Sequence, residues 1–340
     1  MGANSGSMEA VIRALSGGRS FVVPLHLEPD GDSVGASIAL SLVLQASGRR
    51  SVVVSHDPMP PAYQFLPGTA AVLRLEHWDG SGDVVVMVDA GEPSRYGIER
   101  SWLSGKVVIN IDHHLTNDGF GDVWWVDRSA AAASEMVHSI IKGLGAGITK
   151  PVATLLYTGI LTDTGSFRFD NTSSSCLLAA SELVQLGAEP AQLAKRVFET
   201  RSLSSLRLVG RALTRLDVDG SGKVAWTVIT RKMIEETGSQ DSEAEGVVSF
   251  TRMIPGVEVG IIFKEVDGSL VRVGLRSKDC VDVSMLASRH GGGGHARAAG
   301  FCYHGSLERA VEEIVREASE SAQREHSATA PGLPGAGAEV

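Results

Sequence analysis

The chain has 340 residues, 43% hydrophobic and 21% charged, with a formal net charge of −9. That length accommodates two domains of ordinary size, and the composition is that of a globular protein. The acidic balance excludes a broad basic surface tracking long duplex nucleic acid. It does not exclude a small anionic substrate held by a few local charges. The three cysteines, Cys176, Cys280 and Cys302, are far apart and make no C-x-x-C pair, which reads as buried or inert thiols in a reducing compartment. Residues 1–7 are small and polar and lack a signal-peptide core. No apolar run approaches the ~18 residues that span a bilayer. The expectation is a cytoplasmic protein with no membrane partner.

In chain order, residues 8–15 read as a short helix and 21–27 as a strand reaching His26. The piece 28–33 contains Pro29 and Gly31 and reads as a loop, with Ser33 capping a helix over 34–45 that Gly48 closes. A strand is expected at 51–55, then a Pro-rich loop and a short helix at 63–66. Residues 84–88 form a third strand, ending at Asp89, and 107–111 a fourth, which breaks off into Asp112-His113-His114. Residues 123–126 read as an edge strand. Helices follow at about 130–143, 151–161 and 176–186. Strands this uniformly apolar are covered on both faces, and their alternation with helices predicts a doubly wound parallel sheet.

The texture changes after a helical connector. Strands are expected at 224–230, 257–265 and 270–275, the last two around the turn Val266-Asp267-Gly268-Ser269. A helix at 283–289 precedes the glycine run Gly291–Gly294, and 299–303 and 307–319 complete a second domain. The fold class is therefore α/β, with an N-terminal doubly wound parallel sheet and a smaller C-terminal α/β domain with a mixed sheet. The expected divisions are 1–190, a connector at 191–214, a second domain at 215–321, and a disordered Ala-, Gly- and Pro-rich tail at 322–340.

The chemistry gathers at strand ends, where α/β proteins bind ligands. Metal-type residues arrive in order: His26, Asp30 and Asp32, then Asp89, then Asp112, His113 and His114, then Asp163. If the 28–33 loop is extended, Asp30 and Asp32 point the same way and can serve different ions. Asp89 can bridge the two, His113 can bind from the next strand end, and Asp163 can close the second site. One aspartate at a strand end is ordinarily a turn residue, and two adjacent histidines can be an ordinary loop pair. Their joint occurrence favours a metal centre. Asp112 reads as a residue that orients the loop or a ligand. Mixed imidazole and carboxylate ligation suits Mn²⁺, with Mg²⁺, Fe²⁺ or Zn²⁺ as alternatives. Two ions about 3.5–4 Å apart activate a water and clamp a phosphoryl oxygen for in-line attack.

The segments His26-Leu27-Glu28-Pro29-Asp30-Gly31-Asp32-Ser33-Val34-Gly35, Val88-Asp89, Asp112-His113-His114 and Gly159-Ile160-Leu161-Thr162-Asp163-Thr164-Gly165-Ser166-Phe167 resemble the four signature motifs of the DHH phosphoesterase superfamily. Residues 291–300 resemble the glycine-rich motif of the DHH-associated C-terminal domain. The resemblance spans residues 8–320 and is strongest to the nanoRNase and pAp-phosphatase group. It implies a two-metal phosphoesterase acting on short oligoribonucleotides and 3′-phosphoadenosine 5′-phosphate. The alternative it leaves is turnover of cyclic or linear dinucleotides. It implies His26, Asp30 and Asp89 on one Mn²⁺, and Asp32, Asp89, His113 and Asp163 on the other, with His114 facing the scissile phosphate. It also implies a homodimer formed through the catalytic domain.

The C-terminal motif argues against a pyrophosphatase of the same superfamily. The intact ligand set argues against a non-enzymatic nucleotide sensor. For substrate binding, Gly292, Gly293 and Gly294 let the backbone approach an anion. His295, Arg297, Arg276 and Ser277 are the expected polar partners, since arginine can take phosphate oxygens in bidentate fashion.

Overall fold

The computed structural model describes residues 6–244 and 246–329. The chain divides into two units, Met1–Thr200 and Arg201–Val340. The division falls inside the expected connector.

The first unit is built on a parallel six-stranded sheet. Its strands are β1 (Ser20–Pro24), β2 (Arg50–Ser55), β3 (Leu73–Arg74), β4 (Val84–Val88), β5 (Val107–Asp112) and β6 (Val123–Val126). They lie in the order β3-β2-β1-β4-β5-β6. β1 and β4 are buried along their whole length, as a parallel sheet covered on both faces requires. One face carries Phe21, Val23, Val86, Val88, Ile109 and Ile111 against apolar residues of four helices. These are α1 (Met8–Gly17), α2 (Gly31–Ala46), α3 (Ala133–Gly143) and α4 (Lys150–Asp163). The other face carries Val22, Val54, Val85 and Met87 against Leu75, Trp78 and Tyr96. Its cover is made of short 3₁₀ turns, because Pro58, Pro60, Pro61, Pro67, Gly68, Gly80 and Gly82 leave no room for a longer helix there.

α2 starts earlier than expected. Its N-cap is Asp30, whose carboxylate accepts from the N–H groups of Asp32 and Ser33. Ser33 therefore sits inside the first turn and caps nothing. A carboxylate cap with glycine at the first helical position outweighs the loop composition of 28–33. Asp163, expected just beyond a helix, is the last residue of α4. A further helix, α5 (Ser174–Gln185), follows with Ser173 as its side-chain cap.

The second unit holds a mixed six-stranded sheet in the order β11-β12-β10-β9-β8-β7. The strands are β7 (Asp217–Val218), β8 (Val224–Ile229), β9 (Val259–Asp267), β10 (Leu270–Ser277), β11 (Gly293–His295) and β12 (Ala298–His304). The β8–β9 pair is parallel and the others are antiparallel. The glycine run is not simply a loop, because Gly293–His295 pairs with Ala298–Gly300 as an edge strand. The last helix continues to Thr329, past the position where the sequence reading starts a disordered tail. The rest of that tail lies outside the described residues. Cys176 is buried, but Cys280 and Cys302 are exposed, so burial accounts for only one thiol. No described helix is long and apolar enough to cross a membrane.

Candidate active site

The strand order sends the chain to one side from β1 and to the other from β4. A crevice opens beyond the carboxyl ends of strands at such a reversal. His26 follows β1, Asp89 follows β4, and His113 follows β5. Three adjacent strands thus deliver three candidate ligands to one edge.

Asp89 stands in the middle. Its Oδ2 lies 3.7 Å from His26 Nε2, and its Oδ1 lies 3.4 Å from His113 Nε2. His26 Nε2 is also 3.6 Å from Asp30 Oδ1, and His113 Nε2 is 3.5 Å from Asp163 Oδ2. Asp89 adopts φ +68, and its N–H donates to the Ile111 carbonyl at 3.0 Å. A left-handed aspartate costs roughly 1 kcal/mol, the kind of local strain that functional positions hold.

The imidazoles are fixed by their far nitrogens. His26 Nδ1–H donates to the Leu27 carbonyl at 2.8 Å, and His113 Nδ1–H donates to the Ala130 carbonyl at 3.1 Å. Each Nε2 then turns a lone pair toward carboxylate oxygens. That arrangement is repulsive unless a proton or a cation lies between the groups. Burial pushes the His26 and His113 imidazoles down. The facing carboxylates outweigh it and hold both well above the ordinary imidazole value. Burial pushes Asp32 up to about 7, reinforced by the Asp89 charge. It also holds Asp163 well above the usual carboxylate range. Burial pushes Asp89 the same way, but hydrogen bonding to His113 and His26 prevails and holds it well below that range. A crowd of buried acids and inward-facing imidazoles is what a divalent cation would relieve, so the donor set fits a metal centre.

Ligand atoms converge within 4.8 Å in three trios: His26, Asp30 and Asp89; Asp32, His113 and Asp163; and Asp89, His113 and His114. Asp30 and Asp32 do reach different trios, although the backbone between them is helical rather than extended. Asp32 is also tied elsewhere. Its Oδ2 accepts from the Ala133 N–H at 2.5 Å and its Oδ1 from the Ser134 N–H at 2.8 Å. It therefore caps α3, whose own N-cap, Ala132, supplies no side-chain bond. Gly159 makes this approach feasible. A Cβ there would stand 2.0 Å from Ser134 Oγ and 2.6 Å from Asp32 Oδ1.

His114 is held differently. Its Nδ1 lies 2.6 Å from Asp112 Oδ1, while Asp89 Oδ1 is 3.9 Å away. Asp112 Oδ2 accepts from Asn117 Nδ2 at 2.7 Å, and the same amide donates to Asn110 Oδ1 at 2.9 Å. Asn110 and Asn117 were not singled out from sequence. The polar break at Asn110 within an apolar strand was the available signal. Tyr96 was missed as well. It is buried on the far face of the sheet, and burial, then the charges of Asp112 and Asp89, push its hydroxyl up.

The expected substrate residues are treated unequally. Arg276 and Ser277 are successive in β10 and face opposite ways. Ser277 is fully buried and its Oγ donates to the Ala296 carbonyl at 3.2 Å. It braces the turn before β12 and is not open to a ligand. Arg297 is exposed, with Nη1 donating to the Val281 carbonyl at 2.9 Å. A Cβ at Gly292 would meet the Gly300 carbonyl at 2.2 Å, and one at Gly294 the Ala298 carbonyl at 2.4 Å. These two glycines are thus required by the packing of β11 on β12. Only Gly293 of the three faces open space. His295 ends β11.

Residues 20–160 match the DHH family, N-terminal domain, and residues 223–324 match the DHHA1 domain. The chain is 34% identical over 92% of its length to the bifunctional oligoribonuclease and PAP phosphatase NrnA of Thermus thermophilus, covering 93% of that protein. The chain belongs to the DHH family of phosphoesterases. A DHH relative in Bacillus subtilis, with the same name as the Thermus protein, is 30% identical over 85% of this chain and 91% of its own. The DHH fold also appears in the crystal structure of an exopolyphosphatase-related protein from Bacteroides fragilis. That structure has a TM-score of 0.87 and 24% identity, covering 93% of this chain and 97% of the other. DHH phosphoesterases use divalent metals, and the acidic cluster at the sheet edge suits that use.

Proposed function

We propose that this protein hydrolyses short oligoribonucleotides and 3′-phosphoadenosine 5′-phosphate, with Mn²⁺ as its metal. The observation that carries the reading is Asp89, with one oxygen toward His26 and the other toward His113. A carboxylate so placed can serve two ions at once. His26, Asp30 and Asp89 would hold one ion, and Asp32, Asp89, His113 and Asp163 the other. Bound there, the two ions would supply an activated water and neutralise charge at phosphorus.

The chain's own groups then divide the work. The backbone carbonyls of Leu27 and Ala130 keep the two ligand imidazoles in one tautomer. Asp112 Oδ1 accepts from Nδ1–H of His114 and so fixes the ring. His114, so oriented, keeps Nε2 for the substrate, and donation to the phosphoryl oxygen or the leaving group takes place from a ring that carries a second proton there. Arg276, Gly293, His295 and Arg297 supply the substrate contacts of the second unit. The names of the relatives support the choice of substrates.

The test is product analysis in Mn²⁺ with equal concentrations of a 5′-phosphorylated RNA dinucleotide, 3′-phosphoadenosine 5′-phosphate, cyclic di-AMP and pyrophosphate. Cleavage of the first two, with little of the others, is expected. Dominant hydrolysis of cyclic di-AMP would keep the metal centre and overturn the substrates.

A further inference from the structure

Arg252 follows a short helix, Val247–Thr251, that packs over β9. Its Nη1 donates to the carbonyl of Ser277, the residue next to Arg276. Its Nε is buried and has no hydrogen-bond partner. Opposite Arg276 in the ladder stands Gly260. A Cβ on Gly260 would lie 3.0 Å from Arg252 Cγ and 1.9 Å from Thr251 Oγ1. The missing side chain is what lets the Arg252 stem lie across β9 beside Arg276. Burial, then the Arg252 charge, depress Arg276 below the ordinary guanidinium value. Among the described residues, neither arginine has a carboxylate partner.

Two neighbouring guanidiniums without an acid repel each other, and a buried Nε–H without an acceptor is costly. The repulsion is relieved by one ligand, a dianion with several acceptor oxygens. One step along the sheet on the same face, Gly274 pairs with Gly300, and Gly300 with Gly293, which faces open space. We infer that Arg252 and Arg276 together form a site for a terminal phosphomonoester, with Arg252 as a substrate-recognition residue. A monoester matches the pair in charge and in its fork geometry. A bridging phosphodiester carries one charge and fewer free oxygens. The inference rests on the substrate class proposed above and assigns its end recognition to a named pair.

The experiment is equilibrium binding of the dinucleotides pApA and ApA to the full-length protein in EDTA, where no turnover competes. The wild type is expected to bind pApA more tightly than ApA. Arg252→Gln should cut that preference by about tenfold or more, the effect of one charged hydrogen-bonding group, with ApA affinity unchanged. Arg252→Lys, which keeps the charge without the fork, should fall between them, and the melting temperatures show whether the variants are folded. An unchanged pApA-to-ApA ratio in folded Arg252→Gln would overturn the assignment. So would equal weakening of both ligands, which marks a structural role. A wild type that binds neither dinucleotide would instead remove the proposed substrate class, and this inference with it.

Discussion

His114 Nδ1 lies 2.6 Å from Oδ1 of Asp112, a carboxylate with no exposed surface. Asp112 spends one oxygen on this imidazole and the other on the Asn117 amide, and it belongs to none of the three converging trios. Asp112→Asn should therefore lower kcat about 10–100-fold by loosening or inverting the His114 tautomer, while bound metal stays at the wild-type level. Metal analysis beside steady-state kinetics checks this. A loss of metal in the variant would make His114 a ligand.

Among the described residues, Asp89 is the carboxylate that faces both His26 and His113. Asp89→Asn should reduce turnover by more than about 100-fold and lower the occupancy of both ions. Near-normal turnover, or the loss of only one ion, would contradict the bridging role.

Gly159 faces Asp32 and Ser134 across the α2–α3–α4 junction. Gly159→Ala would push its methyl into the carboxylate that caps α3. Overpacking of this kind destabilises by roughly 1–3 kcal/mol, and Mn²⁺ affinity should fall at the trio containing Asp32. Melting curves with and without Mn²⁺ measure both effects. An unchanged melting temperature would mean that α4 shifts without strain.

The buried acids and imidazoles make the metal-free protein sensitive to pH. Asp32 has a folded value of about 7 against an ordinary carboxylate value, so the folded state binds more protons than the unfolded one in that interval. Stability then falls as pH rises through it. The raised His26 and His113 act in the same direction, because their contribution is present below the unfolded imidazole value and lost as pH rises through the folded one. The lowered Asp89 contributes throughout this range, since its losses come only at acid pH. A cation replaces the displaced protons. The rise in melting temperature on adding Mn²⁺ should therefore be larger at pH 8 than at pH 6. An equal or larger rise at pH 6 would refute this linkage.

Much of the site was legible because metal chemistry uses few residue types and α/β sheets present them at strand ends. The acids and imidazoles at 26, 30, 32, 89, 113 and 163 were named from those two facts, and the structure brings them together. The misreadings share a cause. The 28–33 segment looked like a loop because Pro29 and Gly31 weigh heavily in a local window, whereas the Asp30 cap starts α2 there. The glycine run also meets a packing demand that no local pattern shows, since a Cβ at Gly292 or Gly294 would strike β12. Arg252 gave no signal, since nothing near it in sequence marks a guanidinium brought beside Arg276.

The order of amino acids alone names the cast: the candidate ligands, the buried strands and their parallel pairing, and the change of texture before the second sheet. These follow from side-chain chemistry and from hydrophobic patterns a few residues long. The pairing of the cast belongs to the fold. It sets β1 beside β4, so that Asp89 stands between two imidazoles. It also joins Asp32 to the N-terminus of a helix 101 residues later. In the second unit it turns Ser277 inward and leaves Arg276 beside Arg252. Strand order, register and helix packing are set by contacts between distant segments, and no local pattern encodes which distant partner a residue meets.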